Sequence, residues 1–288
     1  MMTPERNTGD RGMTNPQSSV LSPQSFLSSS NGALAELLLT LADDEFVLGF
    51  WDSEWTGIAP MLEEDVAFSS LAQDEIGHAR VLYEILAELT HDTADHIAYG
   101  RQPEEYRHAC LMDYPRTDWA FSIARRFLYD TADAARLDVL ANSSYPPLAG
   151  IVSKIRREET YHRMHMEAWV NRLAEAGGEA QQRLADALEM LWPDALTLFT
   201  PLDGEEELLN VGILPEPLMA IQQQWLGAVA PLMQSLGLPF PFRRAGGDHY
   251  APTFPITMDG GRAAHSDDFR WLWSEFTMVY RTEPGAEW

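Results

Sequence analysis

The sequence predicts an all-α protein organised as a four-helix bundle, and three observations carry that prediction. Apolar residues recur in alternating steps of three and four along four long stretches, the spacing of one helix face. Each face is interrupted near its middle by an acid, twice as part of a Glu-x-x-His pair. The first two stretches are joined by a short link, as are the last two, and a long connection separates the pairs.

Taken in order, residues 1–30 are rich in Ser, Pro, Asn and Gly, lack an apolar run of signal-peptide type and are expected to form a disordered tail. A first helix is expected from Ala33 to Trp55, with Leu34, Leu38, Leu41, Glu45, Leu48, Asp52 and Trp55 on one face. Thr56 to Ala59 ends it, and Pro60 suits the start of the next helix. The second helix carries Phe68, Leu71, Glu75, His78, Leu82, Ile85 and Leu89 and stops near His91 and Asp92. From His91 to Pro115 no period is legible, and Tyr99 to Pro103 is a clear break, so this stretch reads as a crossover. The third helix, Asp118 to Asn142, presents Ala120, Ile123, Phe127, Asp130, Ala134, Leu137 and Ala141. Asp133 is a rival centre, but its face of Arg126, Tyr129, Arg136 and Leu140 reads as half-solvated, which favours Asp130. Ser143 to Pro147 turns into the fourth helix, whose face is Leu148, Val152, Ile155, Glu159, His162, Met166, Trp169 and Leu173 and whose end is near Gly177 and Gly178. Short, long and short links in that order describe a ferritin-like four-helix bundle. Additional C-terminal helices are expected at Ala180 to Phe199, Pro215 to Leu236 and Asp267 to Arg281, with Pro239 to Arg262 as loop. The division is therefore tail 1–30, bundle 31–178, and 179–288 packed on the same domain.

Composition narrows the function. With 288 residues and 45% hydrophobic content the chain buries a sizeable core. A formal charge of −24 argues against nucleic acid and anionic membrane surfaces as partners. No apolar run has membrane-spanning length, since Asp43, Asp44 and Glu45 break the most apolar early segment, and the expectation is a cytoplasmic protein. A single cysteine, Cys110, excludes an internal disulfide framework and a thiolate metal cluster within one chain.

The core-facing polar residues are Glu45, Glu75, His78, Asp130, Glu159 and His162. An ionised carboxylate in a dry interior costs several kcal/mol unless something compensates it. Four such acids and two imidazoles reproduce the ligand pattern of bundle di-iron carboxylate sites, with Asp in place of one Glu. Two divalent ions would balance the four negative charges. Oxygen and imidazole donors without thiolate suit iron, with manganese as the alternative. Six ligands for two ions leave positions open for dioxygen. Each liganding His should pass its other N–H to an acceptor, and Asp74 and Glu158, each just before a ligand Glu, are the candidates. For Asp43 and Asp44 a solvated helix face is the competing expectation, and for Lys154, Arg156 and Arg157 helix-surface charge outweighs a phosphate site.

These residues resemble a known family. Gln73-Asp74-Glu75-Ile76-Gly77-His78, Gly100-Arg101-Gln102, Tyr114-Pro115, Trp119, Asp130 and Glu158-Glu159-Thr160-Tyr161-His162 look like the catalytic ferritin-like subunit of the bacterial phenylacetyl-CoA epoxidases. Glu54-Trp55, Ala59-Pro60, Gly260-Gly261-Arg262, His265-Ser266 and Pro284-Gly285 through Trp288 are similar instead to the structural partner subunit. The resemblance implies oxygen insertion into an aromatic ring held as a CoA thioester in phenylacetate catabolism. It also implies two irons, dioxygen as co-substrate, and electrons from NADPH through a separate reductase. Expected partners are further ferritin-like subunits, in a homo- or hetero-oligomer, and small accessory subunits. Two rivals stand beside a di-iron monooxygenase: a non-catalytic scaffold subunit, and a ferritin-like ferroxidase.

Overall fold

The structure is a computed structural model that describes residues 23–247, 249–256, 261–283 and 286. The expected tail lies outside these up to residue 22, as do Gly260, Pro284, Gly285 and Trp288 of the C-terminal resemblance. Four long helices form the bundle: α1 (Pro23–Ser53), α2 (Leu62–Thr90), α3 (Trp119–Leu140) and α4 (Pro146–Ala176). The α1 helix begins ten residues before the period becomes legible at Ala33. The ends of the others have local causes. At α2 the backbone turns left-handed at His91 (φ 60°), and at α3 the Asp118 carboxylate accepts from Phe121 N at 2.9 Å. Pro146 opens α4 at a position where a missing N–H costs nothing, and Gly177 (φ 64°) closes it.

The crossover between α2 and α3 is ordered as a π-helical turn and two 3-10 turns. It is tied down by two acids for which a solvated face competed in the sequence. Asp43 and Asp44 are both fully buried. Asp43 accepts Tyr83 Oη at 2.6 Å, both Nη groups of Arg101 and the backbone N–H of Arg107 at 2.6 Å. Asp44 accepts Ala109 N at 2.7 Å and Arg136 Nη1 at 2.7 Å. Consecutive residues on α1 thus face the crossover, the third helix and, at Glu45, the bundle centre.

After the bundle, α5 (Gly178–Ala195) packs on α3 and α4, α6 (Glu205–Asn210) touches α1, and α7 (Leu218–Leu236) packs on α3. The segment expected as loop contains an antiparallel hairpin, β1 (Phe242–Gly246) and β2 (His249–Pro252), with a register shift between Arg244 and Gly246. Its aromatic residues join a cluster in which Trp192 lies 5.5 Å from Phe240 and 5.2 Å from Phe242. The last helix, α8 (Asp267–Thr282), returns to α1 and the crossover, where Phe276 stacks on Phe50 at 5.0 Å. Among the described residues no helix is long and apolar enough to cross a membrane. The protein is all-α apart from the hairpin: a ferritin-like bundle with additional C-terminal helices.

Candidate metal centre

The closest helix pair, α1 and α2, sets the centre. At Gly49 an added Cβ would lie 2.8 Å from Ile76 Cγ1, 3.0 Å from the Ala72 carbonyl oxygen and 3.1 Å from Glu75 Cβ. The absent side chain lets the backbones approach and brings Glu45 beside Glu75. Across the bundle α4 places Glu159 and His162 opposite them. All six residues of the expected ligand set are buried. Four of them meet: Glu45, Glu75, His78 and Glu159 offer ligand atoms that all lie within 4.8 Å of one another.

The two histidines are arranged reciprocally. His78 Nδ1 faces inward, 3.4 Å from Glu45 and 3.5 Å from Glu159, while its Nε2 is 2.7 Å from Glu158 on α4. His162 Nδ1 is 2.8 Å from Glu159 and 3.2 Å from Glu75, while its Nε2 is 3.3 Å from Asp74 on α2. Each imidazole therefore has an outer carboxylate from the opposite helix, which fixes its ring and makes its inner nitrogen a better donor to a metal.

Burial and close-set charges govern the electrostatics of the cluster. Burial, reinforced by the neighbouring Glu75, holds Glu45 well above the usual carboxylate range. Burial would raise Glu75 too, but Arg126, Glu45 and His162 outweigh it and hold this acid ionised, well below its ordinary value. Burial depresses His162, yet Asp74, Glu159 and Glu75 overcome that and push it up to about 12. Burial raises Asp133 to about 7 despite Arg136 beside it. Glu45 and Asp133 are the two disfavoured as carboxylates by burial and neighbouring acids, and a cation relieves them.

Several buried atoms have no hydrogen-bond partner: Glu75 Oε2, both oxygens of Glu159, both oxygens of Asp130, His162 Nδ1 and the Tyr129 hydroxyl. The orphaned oxygens of Glu75 and Glu159, in the group whose ligand atoms converge, are what a metal satisfies, whereas those of Asp130 lie against Arg126, so the residues present fit a divalent ion bound by oxygen and nitrogen.

Asp130 stands apart from the four. Its Oδ1 lies 3.0 Å from Arg126 Nη2, off the hydrogen-bonding line, and Arg126 Nη1 reaches Glu75 at 2.5 Å and Asp52 at 3.1 Å. The face expected to be half-solvated is in fact buried throughout: Arg126, Tyr129, Asp133, Arg136 and Leu140 all lie inside, because this face is turned toward α1, where Arg126 meets Asp52 and Arg136 meets Asp44. Arg126 and Asp52 are the site residues that the periodicity did not single out. The available signal was spacing: Arg126 is one turn from Asp130, and Asp52 shares the Glu45 face.

A second group of potential ligands, His108, Asp113 and His265, lies at the start of α8. The two rings stack at 4.0 Å with planes 17° apart, and both turn a nitrogen to the same Asp113 oxygen, His108 Nε2 at 2.9 Å and His265 Nδ1 at 3.4 Å. His265 Nε2 is also 3.1 Å from the Tyr106 carbonyl, which makes this a clamp between crossover and C-terminal segment. Lys154, Arg156 and Arg157 are exposed on α4.

Four long helices around a buried carboxylate–imidazole cluster place the protein in the ferritin-like class. Within it, the chain belongs to the phenylacetic acid catabolic protein family, which matches residues 20–288. Two relatives come from the 1,2-phenylacetyl-CoA epoxidase of Escherichia coli (strain K12). The chain is similar to the C subunit of that enzyme, 27% identical over 256 residues, covering 88% of this chain and 99% of that protein. It is also similar to the A subunit, 28% identical over 208 residues, covering 69% of this chain and 66% of that protein. Family and relatives connect the chain with a multi-subunit oxygenase complex of phenylacetate catabolism.

Proposed function

We propose that this chain is a metal-holding component of a phenylacetyl-CoA epoxidase-like oxygenase, acting on an aromatic acyl-CoA thioester. The observation that supports this is the convergence of Glu45, Glu75, His78 and Glu159, all buried, with orphaned oxygens on two of them. Iron, or manganese as the alternative, would supply the binding and reduction of dioxygen, with electrons from a separate reductase. The chain's own residues would do the rest. The three glutamates and His78 hold the ion, and His162 sits against Glu75 and Glu159. Glu158 and Asp74 fix the imidazoles, and Leu48, Leu82 and Val152, buried on the same helix faces as the ligands, keep bulk water out.

A second reading, a scaffold component paired with a catalytic relative, is favoured by the Arg126 guanidinium beside Asp130. One experiment separates the two. The iron-loaded chain is combined with reductase, NADPH and phenylacetyl-CoA, with and without a catalytic relative, and products are followed by mass spectrometry. Oxygenated thioester formed by the chain without the catalytic relative, and lost in Glu159→Ala, supports the oxygenase. Turnover only when the catalytic relative is added, unaffected by Glu159→Ala, overturns it in favour of the scaffold.

A further inference from the structure

One guanidinium occupies the half of the centre where a second metal would be expected. Arg126 is fully buried, and carboxylates from three helices surround it: Asp52 from α1, Glu75 from α2 and Asp130 from its own α3. Resting on the reading of this cluster as a metal centre, we infer that Arg126 is a permanent cation built into the Asp130 side, so that each chain takes one divalent ion, at Glu45, Glu75, His78 and Glu159.

Three features argue that Arg126 is a fixture and not a stand-in that a metal displaces. First, it has a dedicated partner. Asp52 lies outside the ligand pattern, is fully buried and, among the described residues, has only Arg126 at 3.1 Å and Arg125 at 3.7 Å as cationic neighbours. Moving Arg126 out would leave that acid with Arg125 alone, at the longer distance of 3.7 Å. Second, Arg126 consumes ligand capacity. Glu75 Oε1 is shared by Arg126 Nη1 at 2.5 Å and His162 Nδ1 at 3.2 Å, which leaves Oε2 alone for an ion. A carboxylate that bridges two ions with one oxygen to each needs both oxygens, and Glu75 has only one to give. Third, the charge cannot be discharged, because a guanidinium does not lose its proton in a protein. A second dication next to it would be repelled, with Asp130 already engaged by the arginine. What remains for a second ion is His162 and a share of Glu159, too few donors to hold it.

The test is anaerobic titration of the purified full chain with Mn(II), with bound metal measured by elemental analysis and its coupling by electron paramagnetic resonance. The expected result is one ion per chain with the hyperfine sextet of isolated Mn(II). Two ions per chain with an exchange-coupled spectrum overturn the inference and leave the metal-centre reading standing; no bound ion overturns both. The double variant Asp52→Leu/Arg126→Leu removes the buried pair as a unit and is expected to gain a second, coupled ion. A folded double variant that still takes one ion overturns the role of Arg126. Should the double variant not fold, Asp130→Asn decides: the inference expects loading unchanged, and a loss of affinity of about tenfold or more, as for a ligand or its direct support, overturns it.

Discussion

Glu75 and Glu159 occupy equivalent places in the two Glu-x-x-His pairs, yet their surroundings differ and so should their variants. Glu75 holds Arg126 at 2.5 Å, whereas both oxygens of Glu159 lack hydrogen-bond partners. Removing Glu159 deletes a ligand and relieves the crowding of Glu45 and Asp130, and His162, which loses one of three carboxylates, keeps Asp74 and Glu75. Glu159→Ala is therefore expected to abolish metal binding while changing metal-free stability by no more than about 1 kcal/mol, the ordinary scale of a single substitution. Glu75→Ala also abolishes binding but takes a counter-charge from a buried guanidinium, a loss of about 3–5 kcal/mol. Elemental analysis and urea unfolding in chelator read the two effects separately, and equal destabilisation by both variants would contradict the asymmetry. Most of this centre was legible from residue spacing: both pairs and Glu45 were placed by the helix period alone. Arg126 was not, since a period assigns arginine to water unless a partner is visible, and its partners come from helices distant in sequence. Asp43 and Asp44 misled for the same reason, their counter-ions Arg101, Arg136 and Arg262 being far along the chain.

At the scale of elements, the bundle was legible because its helices bury one face, whereas α3 buries nearly every side and no single stripe describes it. The β1–β2 hairpin went unseen because its pattern is one buried residue followed by four exposed ones, with no alternation to detect. The α1–α2 contact makes a sharper prediction. Gly49→Ala puts a methyl group 3.0 Å from the Ala72 carbonyl oxygen, which the α2 backbone cannot yield cheaply. A destabilisation of about 1–3 kcal/mol is expected, with weaker metal binding as Glu45 and Glu75 are pushed apart; an unchanged melting temperature would show that the helices have slack. The clamp between the crossover and α8 predicts a pH effect. Burial holds His108 below its ordinary value although Asp113 pulls it upward, so as pH falls the unfolded chain takes up the proton first. Stability linked to His108 is then present in full above about pH 6.5 and lost as pH falls below it. Asp113 is depressed from 3.8, burial being outweighed by hydrogen bonds from His108 and His265, so its contribution disappears only at lower pH still. One pH unit below the imidazole value can cost at most about 1.4 kcal/mol. Between about pH 7.5 and about pH 5.5 the wild type should lose more melting temperature than His108→Gln, which keeps a donor for Asp113 but does not titrate. Equal losses would remove His108 from the account.

At the scale of the molecule, one carboxylate connects segments that lie farthest apart in the chain. Arg262 Nη1 donates to Asp44 at 2.9 Å and to the Arg107 carbonyl at 2.8 Å, and its Nη2 donates to the Leu198 carbonyl at 2.9 Å. With Arg136 and Ala109 on the same Asp44, the α1 helix, the crossover, α3, the turn after α5 and the C-terminal segment share one buried network. This adds a polar anchor to the apolar seam that Phe269, Leu272 and Phe276 of α8 make with the core: the C-terminal segment is also held through Arg262 and the His108–Asp113–His265 clamp. Removing one donor from such a network leaves two carbonyls and part of an acid unpaired in a dry interior. Arg262→Met, which keeps the volume, is expected to cost about 2–4 kcal/mol. The comparison variant is Arg270→Met, whose partner Glu104 is exposed, so that water screens the pair and its loss leaves stability unchanged. Limited proteolysis supplies the structural readout, with Arg262→Met expected to open cleavage between β2 and α8 and Arg270→Met to leave it closed. Equal stability and equal digestion of the two variants would mean that the C-terminal segment is held by its aromatic contacts alone, Phe276 on Phe50 and Trp271 on Trp51, and that Asp44 needs no more than Arg136 to stay buried.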